Sequence, residues 1–218
     1  MNKNAIISFA NSKGNYINGL ARLGESLRNN SEGIDFISFI GEASLGCELH
    51  INNPYSFKIA AFKKAKEAGY KNILWLDSSC FAIKSVQSIF DEIENTGFIF
   101  QDAGYYISEW TNEDTLKYYG LTKESSSLMK MIGNAGFLGL NFNMHKPNEF
   151  FNKWEESMLK GYFKGDWKDH RHDMSNSSIL VHLLNIDHLM KKGDEWLQYA
   201  GLYQETANET IIIKAQGI

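Results

Sequence analysis

The chain contains little proline, little cysteine and no excess of positive charge. Only 2 of its 218 residues are proline and 2 are cysteine. Cys47 and Cys80 cannot build a disulfide framework, and their spacing matches no metal-binding pattern that uses both. We therefore expect a reducing compartment and predict a cytoplasmic protein.

The charge balance argues against nucleic acid as a partner. The sequence has 22 Lys and Arg against 26 Asp and Glu, which gives a net charge of −4. Proteins that neutralise a phosphate backbone carry a basic excess. A single nucleotide ligand, in contrast, needs only one or two well-placed cations.

Long apolar runs and linker-like tracts are missing as well. The first apolar run, residues 5–9, is too short for a signal peptide, and no run approaches the length that crosses a bilayer. Hydrophobic residues make up 43% of the chain, enough for one substantial core. We predict a single domain spanning residues 1–218, with no transmembrane segment.

Apolar segments alternate with helical patterns in the first half of the chain. Strands are predicted at 5–9, 34–40, 72–76 and 98–100, and helices lie between them. This order predicts an α/β fold with a mostly parallel, doubly wound, Rossmann-like sheet and ligand groups beyond the carboxyl ends of its strands. Phe9, at the end of the first strand, is therefore placed among the ligand-binding residues.

The second half is less regular at first. Residues 101–132 hold several aromatic side chains among polar ones, which indicates a lid or a segment outside the sheet that faces the acceptor. A strand is predicted at 137–142, helices at 147–159 and 175–189, and a late strand at 210–214. Asn53 and Pro54 predict a helix start, since Asn caps free amides and Pro loses no hydrogen bond there.

Asp77 follows the apolar strand 72–76 directly, where its carboxylate can meet a ligand or cap the next loop. The stretch 54–90, with Lys58, this strand and Asp77, resembles the nucleotide-sugar half of GT-A glycosyltransferases. The resemblance implies an Asp-x-Asp motif that holds Mn²⁺ or Mg²⁺ against the diphosphate of a UDP- or GDP-sugar. Ser79 stands in place of the second acid and is a weaker ligand for a hard cation.

Lys58 has two interpretations. It lies near the start of the helix predicted from Pro54, where an ammonium and a helix N-terminus both attract phosphate. It can equally be an exposed helix lysine. We count it, with Asp77 and Ser79, among the residues that bind the donor.

A second matching segment is Gly-Asn-Ala-Gly-Phe-Leu-Gly at 133–139. It is similar to the Asn-Ala-Gly turn that many GT-A enzymes place beside the transferred sugar, which implies donor contacts by Asn134 and Gly136. Small residues allow a close backbone approach, and an Asn side chain donates and accepts hydrogen bonds. A purely structural tight turn is the alternative.

The third segment, His-Arg-His-Asp-Met-Ser at 170–175, resembles the His-Asp-Glu-Ser segment of the blood-group A/B and α-1,3-galactosyltransferase family. The resemblance implies that His172 and Asp173 are catalytic, with Asp173 as a hydroxyl ligand or general base. Met174 replaces the glutamate of the family, which removes a double displacement that uses it. A bound cation would be shared by Asp77 and His170 or His172. Capping of the next helix by Asp173 and Ser175 is the structural alternative.

The three segments follow one another along the chain in the same order as in GT-A enzymes. The resemblance therefore implies a hexosyltransferase that uses a nucleotide-sugar donor and a glycan, lipid-linked or small-molecule acceptor. Retention and inversion of the anomeric centre both remain open. The substitutions at Ser79 and Met174 also admit a noncatalytic nucleotide-sugar or carbohydrate binding protein. A nucleotidyltransferase is a further alternative, which the lack of an early glycine-rich basic loop disfavours.

Overall fold

The computed structural model describes residues 3–12, 14–133, 136–193, 195–199 and 209–216, with only the backbone of residue 199. Its strands are β1 (Asn4–Ala10), β2 (Asp35–Ile40), β3 (Asn72–Leu76), β4 (Cys80–Ala82), β5 (Phe98–Ile99), β6 (Asp102–Tyr106), β7 (Lys130–Ile132), β8 (Phe137–Asn141), β9 (Leu197–Tyr199) and β10 (Ile213–Ala215). Its helices are α1 (Tyr16–Leu27), α2 (Glu42–Leu45), α3 (Ser56–Glu67), α4 (Gln87–Thr96), α5 (Glu113–Tyr118), α6 (His145–Leu159) and α7 (His172–Leu183).

The central sheet has the strand order β2-β1-β3-β8-β5. β1 pairs in parallel with β2 and β3, and β8 is antiparallel to both β3 and β5. Only β8 therefore runs against the other strands of this sheet. The mostly parallel α/β sheet predicted from the sequence is confirmed.

Helices cover both faces of this sheet. Along β3, Ile73 and Trp75 belong to the core cluster beneath α3, α6 and α7, whereas Leu74 and Leu76 belong to the cluster beneath α1 and α4. All five residues of the strand are buried. Each buried Ile or Leu side chain in it contributes about 1.5–3 kcal/mol by leaving water. The continuous apolar run thus marks a central strand covered on both sides.

Two predicted helix boundaries are wrong. α3 begins at Ser56 rather than at Pro54, because Tyr55 takes the left-handed conformation with φ 59°. The Asn53 side chain donates to Met158 Sδ at 3.3 Å instead of capping the helix. The late helix starts at His172 and ends at Leu183, and Asn185 then turns left-handed with φ 51°.

The segment 101–132 is a small folded layer. β6 and β7 pair antiparallel, α5 lies between them, and β7 contacts α7. Ile107, Leu116 and Met131 of this segment form an apolar cluster with Ile179 of α7. No helix in the described ranges is long and apolar enough to cross a membrane.

The C-terminal part of the described chain forms a second sheet with β4. β10 pairs antiparallel with β4 and parallel with β9, which gives the order β4-β10-β9. The predicted late strand is therefore observed at Ile213–Ala215. This sheet lies against the loop that follows β3, since the Gln216 N–H donates to the Ser79 carbonyl at 3.1 Å.

Candidate functional site

A cleft of about 290 Å³ opens where strands of the central sheet end. Its lining residues are Phe9, Asn11, Tyr16, Glu42, His50, Tyr55, Phe57, Trp75, Asp77, Ser78 and Ser79. Asn11 follows β1, Glu42 closely follows β2 and Asp77 follows β3. Parallel sheets place ligands at this edge. Of the residues predicted from the sequence, Phe9, Asp77 and Ser79 line the cleft.

Asp77 is fixed by the strand that precedes it. Its N–H donates to the Gly136 carbonyl at 3.1 Å, and its Oδ1 accepts a hydrogen bond from Trp75 Nε1 at 2.7 Å. The side chain keeps 36% of its surface exposed. The carboxylate is thus oriented by the indole while it still faces the cleft.

Lys58 is buried beneath this carboxylate. Its side chain is 2% exposed, and its Nζ lies 2.8 Å from Asp173 Oδ2 and 3.8 Å from Asp77 Oδ1. The ammonium also lies over the rings of Tyr55 and Trp75, 5.0 and 5.5 Å from their centroids. The interpretation of Lys58 as an exposed helix lysine is therefore wrong. The first turn of α3 packs inward against the sheet and carries Lys58 with it.

Asp173, in the first turn of α7, is buried below the cleft and does not belong to its lining. Its carboxylate accepts from Lys58, and its backbone carbonyl accepts from Trp154 Nε1 at 3.1 Å. Burial raises the pKa of Asp173, and the Lys58 ammonium opposes that shift. The structure therefore brings Asp77, Lys58 and Asp173 together, and Asp173 contacts the Lys58 ammonium.

His172 and Tyr55 share an unusual backbone conformation. Their φ angles are 47° and 59°, and their ring centroids are 5.5 Å apart. Such residues cost about 1–3 kcal/mol each and persist where the surroundings impose them, often at functional sites. His172 Nδ1 donates to the Phe163 carbonyl at 2.8 Å, so Nε2 carries the lone pair of the neutral ring. Tyr55 places His172 one ring away from the cleft.

His170 is a neutral, buried histidine. Its Nε2 donates to the Tyr162 carbonyl at 2.9 Å, and burial lowers its pKa to about 4. Its ring centroid lies 5.6 Å from that of His172. The contacts of His170 are those of a side chain that holds the loop before α7.

The side chains around Asp77 do not fit the divalent cation that the resemblance implies. Within the described residues, no three His, Cys, Asp or Glu side chains could together hold a metal ion. Oδ1 of Asp77 already accepts from Trp75 and faces the Lys58 ammonium. Ser79 supplies no second carboxylate. The predicted sharing of a cation by Asp77 and His172 or His170 finds no cluster of ligands here.

Gly136 touches Asp77 where the sequence predicted a donor contact. A Cβ at Gly136 would lie 3.2 Å from Cβ, Cγ and Oδ2 of Asp77, so a larger residue would press on the carboxylate. Asn134, the other predicted contact, lies outside the described residues. The close approach explains why glycine follows Ala135 at this turn.

A row of stacked groups leads from the surface to the cleft. We call Trp110, Arg171, Trp167, His172 and Tyr55 the aromatic row. The Arg171 Cζ lies 3.8 Å from the Trp110 ring centroid and 4.1 Å from that of Trp167. Trp167 stacks with His172 at 5.5 Å and with Tyr55 at 6.3 Å, and it is 53% exposed. An exposed indole is thereby held rigidly next to the site.

Several lining residues were missed in the sequence. His50 N–H donates to Glu42 Oε1 at 3.2 Å, and the Tyr55 N–H donates to His50 Nδ1 at 3.2 Å. Burial and the nearby His172 lower the pKa of His50. Asn11 and Glu42 lie just after β1 and β2, so the strand-end rule that selected Asp77 would also have found them.

The fold is that of glycosyltransferase structures, with the cleft at the strand ends of a mostly parallel sheet. One similar structure is the galactosyltransferase LgtC in complex with donor and acceptor sugar analogues, with a TM-score of 0.52, 14% identity, 97% of this chain covered and 86% of that chain. Another is the apo structure of the bifunctional glycosyltransferase WbbM, with a TM-score of 0.60 and 10% identity. That match covers 98% of this chain and 45% of WbbM. No protein-family model and no curated protein matches the chain.

Proposed function

We propose that the protein is a glycosyltransferase that moves a hexose from a UDP- or GDP-sugar to a hydroxyl of a glycan, lipid-linked or small-molecule acceptor. The observation that carries this proposal is the strand-end cleft, in which the Asp77 carboxylate is oriented by Trp75 and tied through Lys58 to Asp173. The similarity in fold to LgtC and WbbM supports it.

The lining of the cleft suits a nucleotide sugar. Phe9 and Phe57 stack at 4.2 Å with an interplanar angle of 17°, which gives a flat apolar wall for a base. Asn11, Ser78 and Ser79 offer hydrogen-bonding groups on the same surface. Asp77 accepts hydrogen bonds from ribose or sugar hydroxyls, and Gly136 lets the ligand approach.

The aromatic row suits the acceptor. Pyranose rings present an apolar C–H face that packs on indole. The half-exposed Trp167 stacks on Tyr55, which lines the cleft, so its indole is available beside the site. Arg171, held between Trp110 and Trp167, fixes that surface. We place the acceptor sugar over Trp167, with its hydroxyl directed toward the cleft.

The two residues predicted to be catalytic take positioning roles. His172 is buried behind Tyr55 and does not line the cleft, so we assign it the support of the Tyr55 and Trp167 rings rather than contact with the acceptor. Asp173 holds Lys58 at Asp77 and so positions the donor site. The single domain of residues 1–218 stays a prediction.

A ligand screen tests this function. UDP, GDP, UDP-glucose, UDP-galactose and GDP-mannose are added singly, and the thermal midpoint and the hydrolysis of labelled sugar nucleotides are measured. Because a ligand that binds only the folded form raises its stability, at least one nucleotide is expected to raise Tm. The matching sugar nucleotide is expected to be hydrolysed or transferred. If no compound raises Tm and no sugar nucleotide is hydrolysed or transferred, the proposal is wrong.

A noncatalytic carbohydrate-binding protein is the second candidate. Among the described residues that line the cleft, the charged side chains are Glu42 and Asp77, and none is Lys or Arg. Carboxylates and aromatic rings without a cation at the wall suit a neutral sugar. Binding of free hexoses without any nucleotide binding in the same screen would favour this candidate.

A further inference from the structure

The cleft has two acidic positions on different strands. Glu42 begins α2 just after β2, whereas Asp77 follows β3, and both line the cleft. β1 lies between these two strands in the sheet. Neighbouring strands are about 4.8 Å apart, so the strand ends that carry the two carboxylates are about 10 Å apart. One ligand can therefore meet the two acids with different groups.

The Glu42 carboxylate is held in position but is not neutralised. Its Oε1 accepts a hydrogen bond from the His50 N–H at 3.2 Å. Among the described residues, none of the ion pairs includes Glu42. A carboxylate has about four positions at which it accepts hydrogen bonds, and the His50 N–H uses one of them. Glu42 is therefore an acceptor for N–H or O–H groups of a ligand.

His50 adds a hydrogen-bond donor at the same wall. Its Nδ1 accepts from the Tyr55 N–H at 3.2 Å, so Nε2 carries the proton of the neutral ring. Burial and the nearby His172 lower the pKa of His50, which keeps the ring neutral at neutral pH. The His50 ring centroid lies 5.8 Å from that of Phe57, which stacks on Phe9. A donor and a carboxylate thus lie beside the flat apolar wall.

These groups match the hydrogen-bonding edge of guanine. That edge presents the acceptor O6 and then two adjacent donors, N1–H and the 2-amino group. A carboxylate accepts from two adjacent N–H groups at once, as it does from arginine, and the Nε2–H of His50 suits O6. Uracil has a single N–H between two carbonyl oxygens, so one of these oxygens would face the carboxylate. The wall therefore favours guanine over uracil.

We propose that the donor is a GDP-sugar and that Glu42 selects its base by accepting hydrogen bonds from N1–H and the 2-amino group of guanine. This inference rests on the proposed function, whose donor it narrows from two nucleotides to one. The ribose is attached to the side of guanine that lies away from N1, so the ribose and the diphosphate extend away from Glu42. Asp77 then remains for hydroxyl groups of the ribose or the sugar.

Base analogues test the inference on the unmodified protein. GDP, inosine diphosphate and UDP are titrated by calorimetry, with and without Mn²⁺. Inosine diphosphate differs from GDP only in lacking the 2-amino group. We expect GDP to bind about tenfold or more tightly than either of the others, because each of them loses a hydrogen bond to a charged group. Inosine diphosphate or UDP binding as tightly as GDP would overturn the inference.

A variant assigns the base preference to Glu42. Glu42→Gln removes the charge but keeps the size of the side chain and an oxygen that can accept from His50. We expect its affinity for GDP to fall about tenfold and its affinity for inosine diphosphate to change less. Glu48→Gln is the matched control, since Glu48 is an exposed acid six residues later that does not line the cleft.

The variant result has a clear opposite. Circular dichroism checks folding, and the comparison of GDP with inosine diphosphate on the unmodified protein decides the question if Glu42→Gln does not fold. A folded Glu42→Gln that keeps the wild-type ratio of the two affinities would show that Glu42 does not read the base.

The results separate this inference from the proposed function. If no nucleotide binds with or without Mn²⁺, the glycosyltransferase proposal fails and the inference fails with it. If UDP binds as tightly as GDP or more tightly, the proposed function stands and the inference alone is wrong. A preference for GDP that depends on the 2-amino group and on Glu42 supports both.

Discussion

Lys58 and Asp173 lie 115 residues apart in the sequence and form a buried ion pair with 2.8 Å between Nζ and Oδ2. The pair joins the first turn of α3 to the first turn of α7 beneath the cleft. Two charges are withdrawn from water here, and Asp77 at 3.8 Å compensates Lys58 only in part. The stability of the fold and the charge of the site are therefore linked through one contact.

Asp173→Asn is expected to lower the free energy of unfolding by about 3–5 kcal/mol, since it leaves a buried ammonium without its closest carboxylate. Urea denaturation measures the change. The double variant Lys58→Met/Asp173→Leu is expected to recover most of this loss, because apolar side chains need no partner. A single variant as stable as the wild type would show that the pair is not formed in solution.

Asp77→Asn is expected to abolish the rise in Tm with UDP or GDP and to lower the stability of the free protein less than Asp173→Asn does, because Lys58 keeps its closer carboxylate. The amide oxygen can still accept from Trp75 Nε1, so the local structure is retained, while the charged acceptor for ligand hydroxyls is lost. Isothermal titration with the nucleotide checks this. Asp91→Asn on α4 is the control and keeps wild-type affinity. Nucleotide binding by Asp77→Asn at wild-type strength would place the ligand elsewhere.

Trp167→Ala is expected to weaken acceptor binding about tenfold while nucleotide binding is unchanged, because it removes one stacking surface. Saturation-transfer NMR with methyl pyranosides, in the presence of UDP, measures the contact. Trp167→Phe retains part of the signal. The exposed Leu159, on α6, provides the control Leu159→Ala. Equal signals in all variants would contradict the assignment of the acceptor.

Gly136→Ala is expected to weaken nucleotide binding with little loss of stability. The added Cβ would lie 3.2 Å from three atoms of Asp77, so the carboxylate must shift. Titration calorimetry with UDP or GDP reports the loss. Gly139→Ala is a contrasting variant, because its Cβ would lie 2.4 Å from Ile93 Cδ1 and strain the core instead. Unaltered affinity in Gly136→Ala would show that the position of Asp77 does not limit binding.

Acid is expected to destabilise the protein through His170. Its pKa is lowered to about 4 by burial, against 6.5 for the free side chain, so the unfolded chain binds more protons between these values. The free energy of unfolding therefore falls as pH drops from about 6.5 to about 4. The loss is on the order of 3 kcal/mol once the pH lies below both pKa values. Urea midpoints across this range, compared with His170→Asn, check the slope. The same slope in the variant would assign the loss to other groups.

Much of the fold follows from the pattern of apolar residues. The strand at Asn72–Leu76 was predicted at its observed bounds, because an uninterrupted apolar run between turns has one good solution in a parallel sheet. The start of α3 was not, since the left-handed Tyr55 packs against His172, which lies far along the chain and which only the fold brings near.

The site was also predicted only in part, because some of its contacts are local in the sequence and others form only in the folded chain. Asp77 is visible because a carboxylate after a buried strand is a local feature. The burial of Lys58 is not local: it depends on Asp173, which only the folded chain brings near. His50 joins the cleft through a loop with no strong pattern of its own.

The sheet that contains β10 bears on how the protein is made. The carbonyl of Ser79, at the mouth of the cleft, accepts from Arg22 and from the N–H of Gln216. During synthesis the first three strands leave the ribosome long before Gln216. The loop that carries Asp77 can reach its final hydrogen bonding only when nearly all of this sequence has been translated, so nascent chains lack a finished cleft.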